Sequence, residues 1–135
     1  MKSYLPYKYC ETTFFVPIKN EDYLGVQFFI YKNRKALKKG ISKYDNVKNA
    51  AGYYTTCYND GLVYSEIHLD LEIMGSGYVA HEIQHFVQHW IHDNKLKPFK
   101  KDWENVAYIA GDLTKDYWAR FYELYKEKEA CITSA

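Results

Sequence analysis

The chain has 135 residues and a mass of 16.0 kDa, which fits one domain spanning residues 1–135 and leaves little room for a second. Hydrophobic residues make up 47% of it and the formal net charge is +1. A core can therefore be buried, while nucleic-acid binding through bulk charge is argued against. Fifteen Tyr, seven Phe and three Trp suggest thin layers whose buried faces lie close to water, since Tyr fills space while keeping a polar tip.

Cys10, Cys57 and Cys131 form no close pair, so neither a disulfide framework nor a thiolate metal site is read, and a cytoplasmic setting is the expectation. The N-terminus lacks the apolar region of a signal peptide, and no apolar run reaches transmembrane length. The basic runs Arg34-Lys35 with Lys38-Lys39, and Lys95, Lys97, Lys100 and Lys101, read as solvated helix ends and loops. Neither a nucleic acid nor a membrane is expected as a partner.

In chain order, Thr12–Ile18 and Gly25–Tyr31 read as strands, rich in β-branched and aromatic residues and separated by a polar "KNED". "NRKALKKGI" reads as a short helix ending at Gly40. Gly52–Tyr58 and Leu62–Leu71 flank "NDG", a strong hairpin signal. In the second strand Val63, Ser65, Ile67 and Leu69 alternate with Tyr64, Glu66, His68 and Asp70, the pattern of a half-buried strand. Ser76 is a plausible N-cap for a helix running to about Asn94, with Val79, Ile83, Phe86 and Trp90 as its core stripe. After a break at Pro98, Asp102 is a good cap for a second long helix towards Lys128, with Val106, Ala110, Leu113, Tyr117, Phe121 and Leu124 facing the core. Strands followed by two long helices make an α+β layout.

Four of the five histidines fall within Tyr78–His92. His81, His85, Gln88 and His92 lie opposite the core stripe. A lone histidine there would read as solvated. His81 and His85, however, are at i and i+4, and two imidazoles so spaced can reach one Zn²⁺ at about 2.0–2.1 Å. Glu82, the next residue after His81, can reach a water on that metal and take its proton. Two ligands do not complete a catalytic site, which wants three and an open position. His92 lies about 16 Å and His89 about 12 Å along the axis from His81, so neither shares the metal. The next helix offers Glu104 in its first turn, off the core stripe, on one face with Ala107, Tyr108 and Gly111. Small Ala107 and Gly111 would let two helices approach closely, and a mid-helix Gly costs roughly 1 kcal/mol against Ala. Read alone, Glu104 would be an ordinary acid favouring the positive end of a helix dipole.

His81-Glu82-Ile83-Gln84-His85 followed by Glu104 in "ENVAYIAGDLT" resembles the gluzincin branch of the zincin metallopeptidases, and most closely their short members, the minigluzincins and small phage-type zinc peptidases. There the second helix opens E-x-x-A-Y-x-x-G; Ala107 and Tyr108 stand in place here, with the glycine at Gly111. The match covers roughly residues 75–114. One departure is Tyr108, where larger gluzincins often carry an aspartate that orients a ligand histidine. The resemblance implies a small curved, mostly antiparallel sheet packed on the histidine helix, with the cleft at an edge strand. The strand immediately before the helix, Leu62–Leu71, is the natural edge. It also implies Zn²⁺ held by His81, His85 and Glu104, Glu82 as general base, and an oxyanion or supporting role for one of Tyr108, Tyr78 or His89. The expected function is a zinc-dependent endopeptidase acting on a protein or peptide, with room for a regulatory protein partner. The competing expectation is a zincin scaffold that keeps its metal but acts by sequestering a partner. A plain interaction protein carrying a chance motif is the third.

Overall fold

The computed structural model describes residues 5–18, 21–44, 52–59 and 62–134, with side chains described at 5–18, 25–44, 52–56 and 65–126. The elements run α1 (Leu5–Tyr9), β1 (Thr12–Ile18), β2 (Glu21–Tyr31), α2 (Arg34–Gly40), β3 (Gly52–Asn59), β4 (Leu62–Asp70), a one-turn 3-10 helix (Leu71–Ile73), α3 (Ser76–Asp93) and α4 (Trp103–Ser134). This is a mixed α+β architecture around a four-stranded sheet. β2 begins at Glu21, inside the stretch expected to be a turn, and α1 is an element that periodicity did not signal.

The strand order is β1-β2-β4-β3. β1 pairs antiparallel with β2, and β3 with β4, as local hairpins would. Asn59 pairs with Leu62, so the expected hairpin is present, although Asp60 and Gly61 of its turn lie outside the described residues. The two hairpins are joined by a parallel pairing of β2 with β4, from Val26↔Ser65 to Tyr31↔Asp70. That pairing corrects the expected edge. β4 is interior, and the edge strand on this side is β3.

It also explains a second correction. β4 alternates apolar and polar residues, yet both of its faces are covered. Ile67 and Leu69 join Phe14, Val16, Val26, Phe28 and Ile30 beneath α3 and α4, which contribute Val79, Ile83, Phe86, Leu113, Tyr117 and Phe121. On the opposite face Phe29, Tyr31, Leu37 and Ile41 pack under α1 and α2. Glu66 and His68, on that second face, are completely buried.

Burying them is tolerable because their polar atoms are paired. His68 Nε2 lies 3.0 Å from Glu66 Oε1, and His68 Nδ1 lies 2.8 Å from the Tyr31 hydroxyl. The Tyr44 hydroxyl donates to Glu66 Oε1 at 3.0 Å. The imidazole also stacks on Phe29, with centroids 4.7 Å apart. Gly40 is tied to this cluster: a Cβ there would fall 2.4–2.7 Å from three Tyr31 ring and hydroxyl atoms.

The helix ends differ from their sequence signals in detail. Asn33 caps α2 by accepting the Ala36 N–H. α3 starts with Gly75 as its N-cap, and Ser76 makes no capping bond because it already lies inside the helix. Asp102 sends its carboxylate back to the Lys97 N–H at 2.7 Å rather than into the first turn of α4. No helix among the described residues is long and apolar enough to cross a membrane.

Candidate metal centre

α3 places its functional side chains by rotation alone. With Val79, Ile83, Phe86 and Val87 buried against the sheet, His81 and His85 come out on the exposed side. Their rings meet edge to face with centroids 4.9 Å apart. No hydrogen bond engages either ring among the described residues, so their nitrogens are open to a ligand.

Glu82 behaves differently from the neighbours it separates. Its side chain is buried between α3 and β3, with Oε2 3.9 Å from His81 Nε2. Burial raises the carboxyl above the usual carboxylate range, and proximity to His81 and His85 opposes that rise. The partner surface is Gly52, the first residue of edge strand β3. A Cβ at Gly52 would sit 3.0 Å from Glu82 Oε2 and 2.9 Å from the Tyr78 hydroxyl. The glycine thus leaves the space that the carboxylate occupies, which "HEIQH" alone did not disclose.

The same side of β3 continues along α3 at every second residue, as strand alternation requires. Tyr54 lies with its ring 6.2 Å from that of His85, nearly parallel to it. His89 Nδ1 is 2.8 Å from the Tyr54 hydroxyl and 2.7 Å from Thr56 Oγ1, while His89 Nε2 is 3.1 Å from Asp93 Oδ2. Both nitrogens of His89 are therefore engaged. It joins strand to helix beside a cavity of about 220 Å³ that Thr56, Ser65, Phe86 and Trp90 also line. Tyr78 accepts the Asp70 N–H at 2.8 Å, anchoring the start of α3 to the end of β4, and burial pushes its phenol pKa up.

Among the described residues, the second helix brings no third metal-ligating side chain to this pair. Glu104 is exposed, and it lies nine positions before the buried Leu113, about 180° away at roughly 100° per residue. Ala107 is exposed too, and a Cβ added at Gly111 would meet nothing within 4 Å. α3 and α4 do pack against each other, but not across the face that carries Ala107 and Gly111. Tyr108 is exposed and lines a different cavity with Pro17, Ile18 and Asp112, between α4 and β1. Among the described residues no group of three His, Cys, Asp or Glu side chains is placed to hold a metal ion. Of the donors that a zinc ion would need, the paired imidazoles offer two, and among the described residues no third joins them.

Comparison of the chain with protein-family models, with curated proteins and with solved structures finds no match.

Proposed function

We propose that this chain is a zinc-dependent peptidase of zincin type, acting on peptide laid along the free edge of β3. One observation carries the reading: the buried Glu82 carboxylate, 3.9 Å from His81 Nε2, is seated against Gly52 of an edge strand beside two imidazoles that make no hydrogen bond among the described residues. A solvated helix face would have no reason to bury the acid between its histidines. Burial of a carboxylate opposes folding, the neighbouring His81 offsets part of that, and a role as a base gives the burial a use.

His81 and His85 would hold the ion, with Glu104 as the third ligand that the resemblance supplies. When bound, zinc supplies Lewis acidity and a more acidic water. Glu82 takes the proton of the attacking water at a carboxylate oxygen and later delivers it to the leaving amine. The backbone of β3 orients the substrate as an added strand, through the N–H and C=O groups along the edge that no other described strand pairs. For Glu104 to serve, the first turn of α4 must come to the histidine pair.

Zinc titration and a proteome-wide digest test this together. His81→Ala and His85→Ala should each weaken zinc binding by more than the roughly ten-fold that loss of a mere supporting partner of a ligand costs. Glu82→Gln should bind zinc normally and cleave nothing. Glu104→Gln should also weaken zinc binding; an unchanged affinity leaves a two-histidine site and removes the enzymatic reading.

The exposed position of Glu104 favours a second reading, in which the same scaffold captures a partner along β3 without turnover. Wild type would then cleave no protein, and partner binding would survive Glu82→Gln.

A further inference from the structure

The loop between α3 and α4 carries "KLKPFKK", residues 95–101, four of them lysines in a chain whose net charge is only +1. Its sequence reads as a solvated connection. The structure adds two facts that this reading does not explain. Phe99 is the most exposed large apolar residue described, at 95%, and Trp103 just beyond it is 64% exposed. The loop is also closed on itself: the Lys97 N–H donates to Asp102 Oδ2 at 2.7 Å, and the Asp102 and Lys100 N–H groups donate to the Lys97 carbonyl at 3.1 and 3.0 Å.

The entry to the loop is equally fixed. The Leu96 N–H closes back onto the Ile91 carbonyl, and Lys95 takes φ 53°, in the left-handed region that a non-glycine residue seldom occupies. A closed turn therefore carries a bare phenyl ring, flanked in sequence by the exposed Lys95, Lys97, Lys100 and Lys101. Of the nearby acids, Asp102 is turned inward to cap the loop and Asp93 pairs with His89; among the described residues near the loop, Glu104 alone stands exposed and unpaired.

We propose that this loop docks the protein on an anionic lipid surface, with Phe99 inserted at the headgroup boundary and the lysines over acidic headgroups. An exposed aromatic ring flanked by cations is the chemistry of interfacial membrane binding. The ring leaves water for the acyl boundary, and each nearby lysine gains from the negative surface potential. Lysine stems can lie along the apolar boundary while their ammonium groups stay wet. A single-stranded nucleic acid fits less well, because it wants a positive groove with a row of stacking rings, and the exposed rings here are two, Phe99 and Trp103. The inference does not depend on the peptidase reading.

Co-sedimentation with phosphatidylcholine vesicles, with and without phosphatidylserine, tests it on the full chain. Binding is expected only to the phosphatidylserine vesicles and should fade as salt rises. Phe99→Ser, and separately Lys100→Glu with Lys101→Glu, should each weaken it about ten-fold or more. All three sites are exposed, so thermal melts should match wild type. No binding to the anionic vesicles, equal binding to the neutral ones, or binding unaffected by Phe99→Ser overturns the proposal. So does an oligonucleotide such as oligo-dT binding through the same residues while vesicles do not.

Discussion

Gly52→Ala is the sharpest probe of the centre, because it perturbs Glu82 without touching either histidine. The added methyl would lie 2.9 Å from the Tyr78 hydroxyl and 3.0 Å from Glu82 Oε2. Unstrained heavy-atom contacts lie near 3.5 Å, so one or both groups must yield by roughly 0.5 Å. Tyr78 is held by the Asp70 N–H at 2.8 Å, whereas the Glu82 carboxylate is the end of a flexible side chain. The carboxylate should move more. For stability, Ala gains about 0.5–1 kcal/mol over Gly within a strand. Weakening the Tyr78 bond loses a similar amount, about 1 kcal/mol. Denaturant melts should therefore fall within about 1 kcal/mol of wild type. Zinc affinity should be unchanged, while peptide hydrolysis falls by about 10- to 100-fold, since a 1 Å misplacement of a reacting group can lose about 10² in rate. A Gly52→Ala variant that hydrolyses peptide at the wild-type rate would refute this placement of the base.

Two further outcomes follow from the buried cluster on the other face of the sheet. Gly40→Ala gains up to about 1 kcal/mol in helix propensity. It also drives a Cβ to 2.4 Å from a Tyr31 ring that is fully buried and held by His68, so overpacking of about 1–3 kcal/mol should win. Differential scanning calorimetry should show a lower melting temperature; an equal or higher one would mean that Tyr31 can move. Stability should also fall with acidification. Desolvation holds the His68 pKa below its ordinary value, although its bond to Glu66 and the charge of Glu66 oppose that shift, and Lys43 adds to it. Below pH about 6.5 the unfolded chain binds a proton that the folded one excludes. The stability is thus complete above that pH and is lost as pH falls, by up to about 1.4 kcal/mol per pH unit. Urea titrations between pH 7 and 5.5 should show the decline in wild type and a weaker one in His68→Phe, if that variant folds.

Much of this chain could be read locally. The stripe Val79, Ile83, Phe86 set the rotation of α3, and that rotation by itself put His81 and His85 on one exposed face. The paired strands on either side of Asn59 and Leu62 were likewise contiguous in sequence. What failed were inferences spanning distant residues. β4 was taken as an edge because it precedes the helix, but its pairing with β2 places it inside the sheet, and so Glu66 and His68 lost the water their alternation implied. Gly111 was taken as a sign of close packing, and its surroundings are open.

The sequence by itself determined helices α2, α3 and α4, the β3-β4 hairpin and the spacing of the histidine pair. Each of these depends on neighbours within a turn or a loop, where chain geometry leaves little choice. Only the tertiary structure decided the strand order, the burial of Glu82 against Gly52 and the open surroundings of Gly111. Those turn on which distant apolar surfaces meet, and the hydrophobic effect that joins them is non-directional and carries no local signature.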